Sequence, residues 1–136
     1  MRDVAYIALG SNLGDREEHL ARARAALAVI PESRILGESS VEETAPLGPI
    51  AQRSYLNQMI ALETTLDPHV LLTHLHAIEE TEGRVRRERW GSRTLDLDIV
   101  QFETQTVNAT DLLVPHPELP NRDFWQRELT ELKAGA

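Results

Sequence analysis

Asp96-Leu97-Asp98 sets two carboxylates two residues apart in Thr94 to Val100, a stretch that reads as a β-strand. Alternate side chains of a strand share a face, so Leu95, Leu97 and Ile99 point one way and Asp96 and Asp98 the other. The α-carbons of the two aspartates then lie about 6–7 Å apart. Aspartate is a poor strand former. Two on one face repel each other unless a cation or an arginine sits between them. Hard divalent cations such as Mg2+ take carboxylate oxygens together with substrate phosphates. Taken alone, the pair fits a solvated outer strand face equally well.

The residues just before it change that balance. Positions 84–93 read Arg-Val-Arg-Arg-Glu-Arg-Trp-Gly-Ser-Arg, a local charge of +4 in a chain whose net charge is −8. Of the 14 basic residues only Lys133 is a lysine. Arginine is the side chain that forks onto phosphate oxygens. Guanidinium groups beside a carboxylate pair that can hold Mg2+ are what polyphosphate recognition requires. Trp90, inside the run, can close over a flat ligand. His116 sits between Pro115 and Pro117 with Arg122 nearby in sequence, and both can contact a phosphate. His69, His76 and Glu79 lack a convincing zinc spacing, and Glu79, beside Glu80 and Glu82, reads by itself as an exposed helix residue. No Gly-x-x-x-x-Gly-Lys or Gly-x-Gly-x-x-Gly motif is present.

The elements that must position these residues follow from periodicity. Val4 to Leu9 is a short apolar run, read as a buried strand ending in a turn at Gly10 to Asp15. Asp15 or Asn12 caps a helix from Arg16 to Val29, whose stripe is Leu20, Ala23, Leu27 and Ile30, with Pro31 as its stop. Arg34 to Thr44 reads as a second strand, the stretch Ala45 to Pro49 as irregular, and Tyr55 to Thr64 as a third strand. Pro68 opens a second helix with Val70, Leu71, Leu75 and Ile78 as its stripe and Gly83 as its end. After the Thr94–Val100 strand come a minor strand or hairpin near Leu112 to Val114 and a last helix from Asn121 or Asp123. Strand, helix, strand, strand, helix, strand is the βαββαβ order of a ferredoxin-like α+β sandwich, an antiparallel sheet with helices packed on it.

A chain of 136 residues suits one domain spanning 1–136, large enough to bury roughly two-thirds of its unfolded surface. Cysteine is absent, which excludes disulfides, cysteine zinc sites and thiol nucleophiles and fits the cytoplasm. The six-residue run from Val4 to Leu9 is too short for a membrane span or a secretory leader, so no membrane partner is expected. With a net charge of −8 and six aromatic residues, none in a base-stacking strand motif, no nucleic acid is expected either.

Together these segments resemble the 6-hydroxymethyl-7,8-dihydropterin pyrophosphokinases of folate biosynthesis. The likeness runs through Ala8-Leu9-Gly10-Ser11-Asn12-Leu13-Gly14, Thr44-Ala45-Pro46-Leu47-Gly48-Pro49, Tyr55-Leu56-Asn57 and Gly83-Arg84. It continues through Arg89-Trp90-Gly91-Ser92-Arg93-Thr94-Leu95-Asp96-Leu97-Asp98-Ile99, Val114-Pro115-His116-Pro117 and Asn121-Arg122-Asp123-Phe124. The resemblance implies transfer of the terminal two phosphates of ATP, as one unit, to the hydroxymethyl group of a reduced pterin, with release of AMP. It implies two Mg2+ ions on Asp96 and Asp98, and phosphate contacts from Arg84, Arg93, His116 and Arg122, with Arg84 and Arg93 counted as catalytic beside the aspartates. Leu72, Glu79, Trp90 and Ile99 would complete the ATP side. Thr44, Pro46, Leu47, Tyr55, Asn57, Trp90 and Phe124 would form the pterin slot.

The chain departs from the family pattern at Ser92, where proline is usual, and at His76, where glutamine is expected. After Phe124, Trp125 to Leu129 replaces the usual Pro-Leu pair, and the longer tail is expected to be missing. Gly83 to Ser92 is expected to be a mobile lid, since its arginines repel one another without ligand. A paralogue that binds both substrates but turns over poorly stays open at this level. The monomer is the expected state.

Overall fold

Ala5 to Leu9 is buried on both faces because it runs through the middle of a sheet. The computed structural model describes residues 2–45, 53–83 and 94–135. Within them the order is β1 (Asp3–Ser11), α1 (Arg16–Ala28), β2 (Ser33–Glu38), β3 (Glu42–Thr44), β4 (Tyr55–Thr64), α2 (Pro68–Thr81), β5 (Asp96–Phe102), β6 (Val107–Asn108), β7 (Leu113–Val114), a single 3-10 turn at Leu119–Asn121, and α3 (Asp123–Ala134). The main sheet is antiparallel in the order β2-β4-β1-β5, and β3 continues along the same edge of β4 as β2. β6 and β7 form a separate two-stranded ladder. The protein is therefore α+β, with three α-helices and an antiparallel sheet. None of its described helices is long and apolar enough to cross a membrane.

The helices divide between the two faces. On one face Leu20, Ala23 and Leu27 of α1 and Leu71 and Leu75 of α2 pack against Ile7, Leu9, Ile60, Leu62, Leu97 and Ile99. On the other, Trp125 and Leu129 of α3 cover Tyr6, Ala8, Met59, Ala61 and Val100. The Asp15 side chain caps α1 by accepting the Glu18 N–H at 3.1 Å. Pro68 begins α2 behind the Asp67 cap, and Gly83 follows it at a φ of +81°, a left-handed position suited to glycine.

Four expectations shift. The single strand from Arg34 to Thr44 is two strands. At the break, the Ser39 hydroxyl accepts the Met59 N–H at 2.8 Å, so a side chain replaces a ladder carbonyl. The turn begins after Ser11, since Gly10 and Ser11 still pair within the sheet. Val70 is 44% exposed, because the buried stripe of α2 is centred on Leu71, Leu75 and Glu79. β5 starts at Asp96 and runs on to Phe102, where a bulge intervenes: Tyr6 faces Gln101 while Ile7 faces Ile99, leaving Val100 as the extra residue. That extra residue returns Phe102 to the α1/α2 face, against which it is buried.

Candidate active site

The ladder places the key polar residues in rows. Gly10 of β1 pairs with Asn57 of β4 on one side and Asp96 of β5 on the other; Ala8 pairs in the same way with Met59 and Asp98. Directly opposed residues of an antiparallel ladder project from the same face. Met59 and Ala8 belong to the face covered by α3, so Asn57, Asp96 and Asp98 share that face. Two strand spacings put the α-carbons of Asn57 and Asp96 about 10 Å apart. Between them Gly10 presents no side chain. A β-carbon there would lie 3.2 Å from the Asn57 Oδ1 and 3.5 Å from the Tyr55 ring. The glycine thus keeps the sheet floor open between amide and carboxylate, a role that its place at the end of an apolar run does not announce.

Thr44, Tyr55 and Asn57 meet at one end of this row. Thr44 pairs with Tyr55 across β3 and β4, and the Asn57 amide donates to the Thr44 hydroxyl. Asn57 is buried, and its side chain carries a second N–H and a carbonyl oxygen besides the proton given to Thr44. Phe124 lies on α3, which covers the same face, and packs against its apolar cluster. Pro46 and Leu47, the other expected members of the slot, lie outside the described residues.

On the outer side, β5 is the last strand of the main sheet and its edge carries an outward N–H at Leu97. Glu79 of α2 accepts that N–H through Oε2 at 2.8 Å. Glu79 is only 6% exposed, so its sequence reading as a solvated helix residue is corrected. The glutamate is drawn inside because an edge strand against α2 leaves a donor that needs an acceptor. That bond anchors the backbone between Asp96 and Asp98. Leu72, His76, Glu79, Asp96, Asp98, Ile99 and His116 line one cleft of about 310 Å³ at this edge. His69 does not line the cleft, but its Nε2 lies 3.0 Å from a carboxylate oxygen of Asp111, which does.

His116 is fixed from several directions. Its backbone N–H donates to the Val100 carbonyl at 2.8 Å, continuing the edge of β5. Its Nδ1 accepts the Glu118 N–H at 3.0 Å. In the neutral ring the proton is then on Nε2, which lies 3.9 Å from Asp98 Oδ1. Burial, and after it the Arg122 guanidinium, hold His116 below the ordinary imidazole pKa, while Glu118 opposes them. The neutral ring therefore presents an N–H donor beside Asp98 at neutral pH. Arg122 precedes α3, with its Cζ 4.4 Å from the centroid of the Trp125 ring.

The description 7,8-dihydro-6-hydroxymethylpterin-pyrophosphokinase matches residues 6–134 of this chain. The chain belongs to that family. Proteins named 2-amino-4-hydroxy-6-hydroxymethyldihydropteridine pyrophosphokinase are similar to it over most of its length. The one from Bacillus subtilis is 42% identical over 132 residues, covering 97% of this chain and 79% of its own. The one from Haemophilus influenzae is 42% identical over 121 residues, 89% and 76% of the two chains. The one from Pseudomonas aeruginosa is 43% identical over 127 residues, 93% and 78%. As a pyrophosphokinase, the protein must seat a nucleotide polyphosphate beside an acceptor. Asp96, Asp98, Glu79 and His116 are drawn together at one edge, and Thr44, Tyr55 and Asn57 lie along the adjoining face. Arg84, Trp90, Arg93 and Ser92, with the expected lid except Gly83, fall outside the described residues. Sequence reasoning named Gly10 and Trp125 but gave neither a place in the site. The signal for Gly10 was its position between two strands' polar residues, which only the register discloses.

Proposed function

We propose that the protein transfers the β,γ-diphosphate of ATP to the hydroxymethyl group of 6-hydroxymethyl-7,8-dihydropterin in folate biosynthesis. The alcohol oxygen bonds to the β-phosphorus, the bond from that phosphorus to the bridging α,β-oxygen breaks, and AMP leaves with that oxygen. The alcohol proton passes to solvent or to AMP. The observation that carries this reading is the shared face of Asn57, Gly10, Asp96 and Asp98. It offers an amide suited to a heterocycle edge and, one strand spacing beyond an open floor, carboxylates suited to a charged phosphate chain.

Asp96 and Asp98 fit Mg2+, whose preferred set is one or two carboxylates completed by phosphate and water oxygens. Among the described residues no cluster of three or more His, Cys, Asp and Glu side chains competes with that assignment. Two bound Mg2+ ions would neutralise the triphosphate and assist the attacking alcohol. His116 would donate Nε2–H, and Arg122 its guanidinium, to phosphate oxygens. Arg84 and Arg93 would bring further cations, with the arginine-rich segment acting as a lid over Trp90 and the pterin. Leu72 and Ile99 would flank the adenine. Thr44, Pro46, Leu47, Tyr55, Asn57 and Phe124 would hold the pterin.

The proposed unit is one pyrophosphokinase domain, monomeric and cytoplasmic, with ATP and the pterin alcohol as its partners. We assign it a ferredoxin-like βαββαβ sandwich. The sheet order supports this when β2 and β3 are counted as one broken strand.

Incubation with Mg-ATP and the pterin alcohol is expected to give AMP and pterin diphosphate in equal amounts. ADP as the product would overturn the reaction, and tight binding of both substrates without turnover would favour the poorly active paralogue. Asn57→Ala is expected to weaken pterin binding about tenfold or more, since buried partners left unpaired cost about 1–3 kcal/mol. Mg-ATP affinity should change little. Calorimetric titration of both ligands checks this, and an equal loss for the two would count against an amide that reads the pterin alone.

A further inference from the structure

Trp125 is 2% exposed and sits in the apolar cluster beneath α3. Its surroundings exceed what a core filler needs. The Arg122 Cζ lies 4.4 Å from the indole centroid. The His116 ring meets the indole edge-on, at 4.9 Å between centroids and an interplanar angle of 84°. Phe124 stands at 6.2 Å and 71°. One buried ring therefore touches both described side chains that the proposed function assigns to the triphosphate.

The means of holding Arg122 matters for what it can bind. Its Nε is buried and has no hydrogen-bond partner. An orienting carboxylate would occupy guanidinium donors and cancel the charge, leaving little for an incoming phosphate. An aromatic face attracts the cation without using a hydrogen-bond donor. The same ring meets His116 edge-on, again without occupying either ring nitrogen.

We propose that Trp125 is a positioning residue. Its indole fixes the Arg122 guanidinium and the His116 imidazole toward the nucleotide phosphates while leaving their donors available. The role rests on the pyrophosphokinase reading above.

The test uses the full chain. Trp125→Leu and Trp125→Met are expected to weaken Mg-ATP binding about tenfold, the scale of a desolvated cation–π contact. Methionine fills the core but offers no flat face, so it guards against a variant that merely unfolds. Trp125→Phe should restore most of the affinity. In an Arg122→Ala, His116→Ala background, Trp125→Met should cost no more than about twofold further, because the groups it acts through are gone. A full additional tenfold loss there would overturn the proposal, as would unchanged Mg-ATP binding in folded Trp125→Met. Nuclear magnetic resonance of the ligand-free protein separates this inference from the functional reading. Ring current should shift the Arg122 Nε–H, and the shift should collapse in Trp125→Met. If the shift is present but the wild type binds no Mg-ATP, the pyrophosphokinase reading fails and the positioning role falls with it. If the Arg122 Nε–H resonates at its random-coil position in the wild type, the positioning role alone is wrong.

Discussion

Asp96→Ala and Asp98→Ala are each expected to reduce turnover by at least about a thousandfold, a loss of about 4 kcal/mol of transition-state stabilisation. Neither carboxylate lies in the apolar clusters, and both are only half-buried. Removing one should therefore leave the sheet standing. The local frame does not depend on the aspartates, because Leu97 is held by its own side chain in the core and by Glu79 through its N–H. Steady-state rates with Mg-ATP and the pterin alcohol, alongside far-UV circular dichroism, check both halves of the expectation. Near-normal activity in either variant would remove the carboxylate pair from the mechanism.

The residues that carry this expectation were legible because a period of two needs no tertiary information. Leu95, Leu97 and Ile99 alternate with Asp96 and Asp98, and the core takes the leucines and the isoleucine as alternation dictates. Tyr55 to Thr64 was also bounded correctly, although as an inner strand it is buried on both faces, and the Pro68 and Gly83 limits of α2 follow from backbone chemistry that proline and glycine declare locally. What escaped the sequence depends on partners distant along the chain. The Ser39 break needs the Met59 N–H twenty residues away. The Val100 bulge is set by pairing with β1, and Val-Gln-Phe carries no local mark of it. Glu79 looks solvated until β5 is seen to be an edge strand whose Leu97 N–H requires an acceptor. Trp125 follows the familiar Asn-Arg-Asp-Phe segment, yet its significance arises only where α3 meets the loop that holds His116.

Glu128→Gln is expected to stabilise the protein by about 2–3 kcal/mol at pH 8 and to change it little at pH 5. Glu128 lies on the buried side of α3 at 2% exposure, with its carboxyl beside that of Glu42 on β3. Burial pushes its carboxyl up to about 9, a side-chain hydrogen bond with Glu42 and the charge of Glu42 add to the shift, and Glu131 contributes while Arg127 opposes. Arg127 is itself engaged with Glu42 at 3.1 Å. The folded state thus keeps a proton that an unfolded glutamate releases near 4.5. Between those two values the folded state binds more protons than the unfolded one, so stability falls as pH rises. The limiting slope is about 1.4 kcal/mol per pH unit, which residual solvation at the helix edge will reduce. Below the window both states are protonated and no penalty exists; above it both are ionised and the whole penalty is present. Glutamine keeps the shape and removes the titration. The difference in unfolding free energy between variant and wild type cancels the other titrating groups and should widen steadily from pH 5 to pH 9. Urea unfolding at a series of pH values measures it. Because α3 carries Phe124 and Trp125 and follows directly on Arg122, ionisation of Glu128 should loosen the helix that walls the site. Wild-type activity should then decline at alkaline pH earlier than that of Glu128→Gln. A stability difference that stays constant across this range would mean that Glu128 is already ionised at pH 5 and reaches a counter-charge or water.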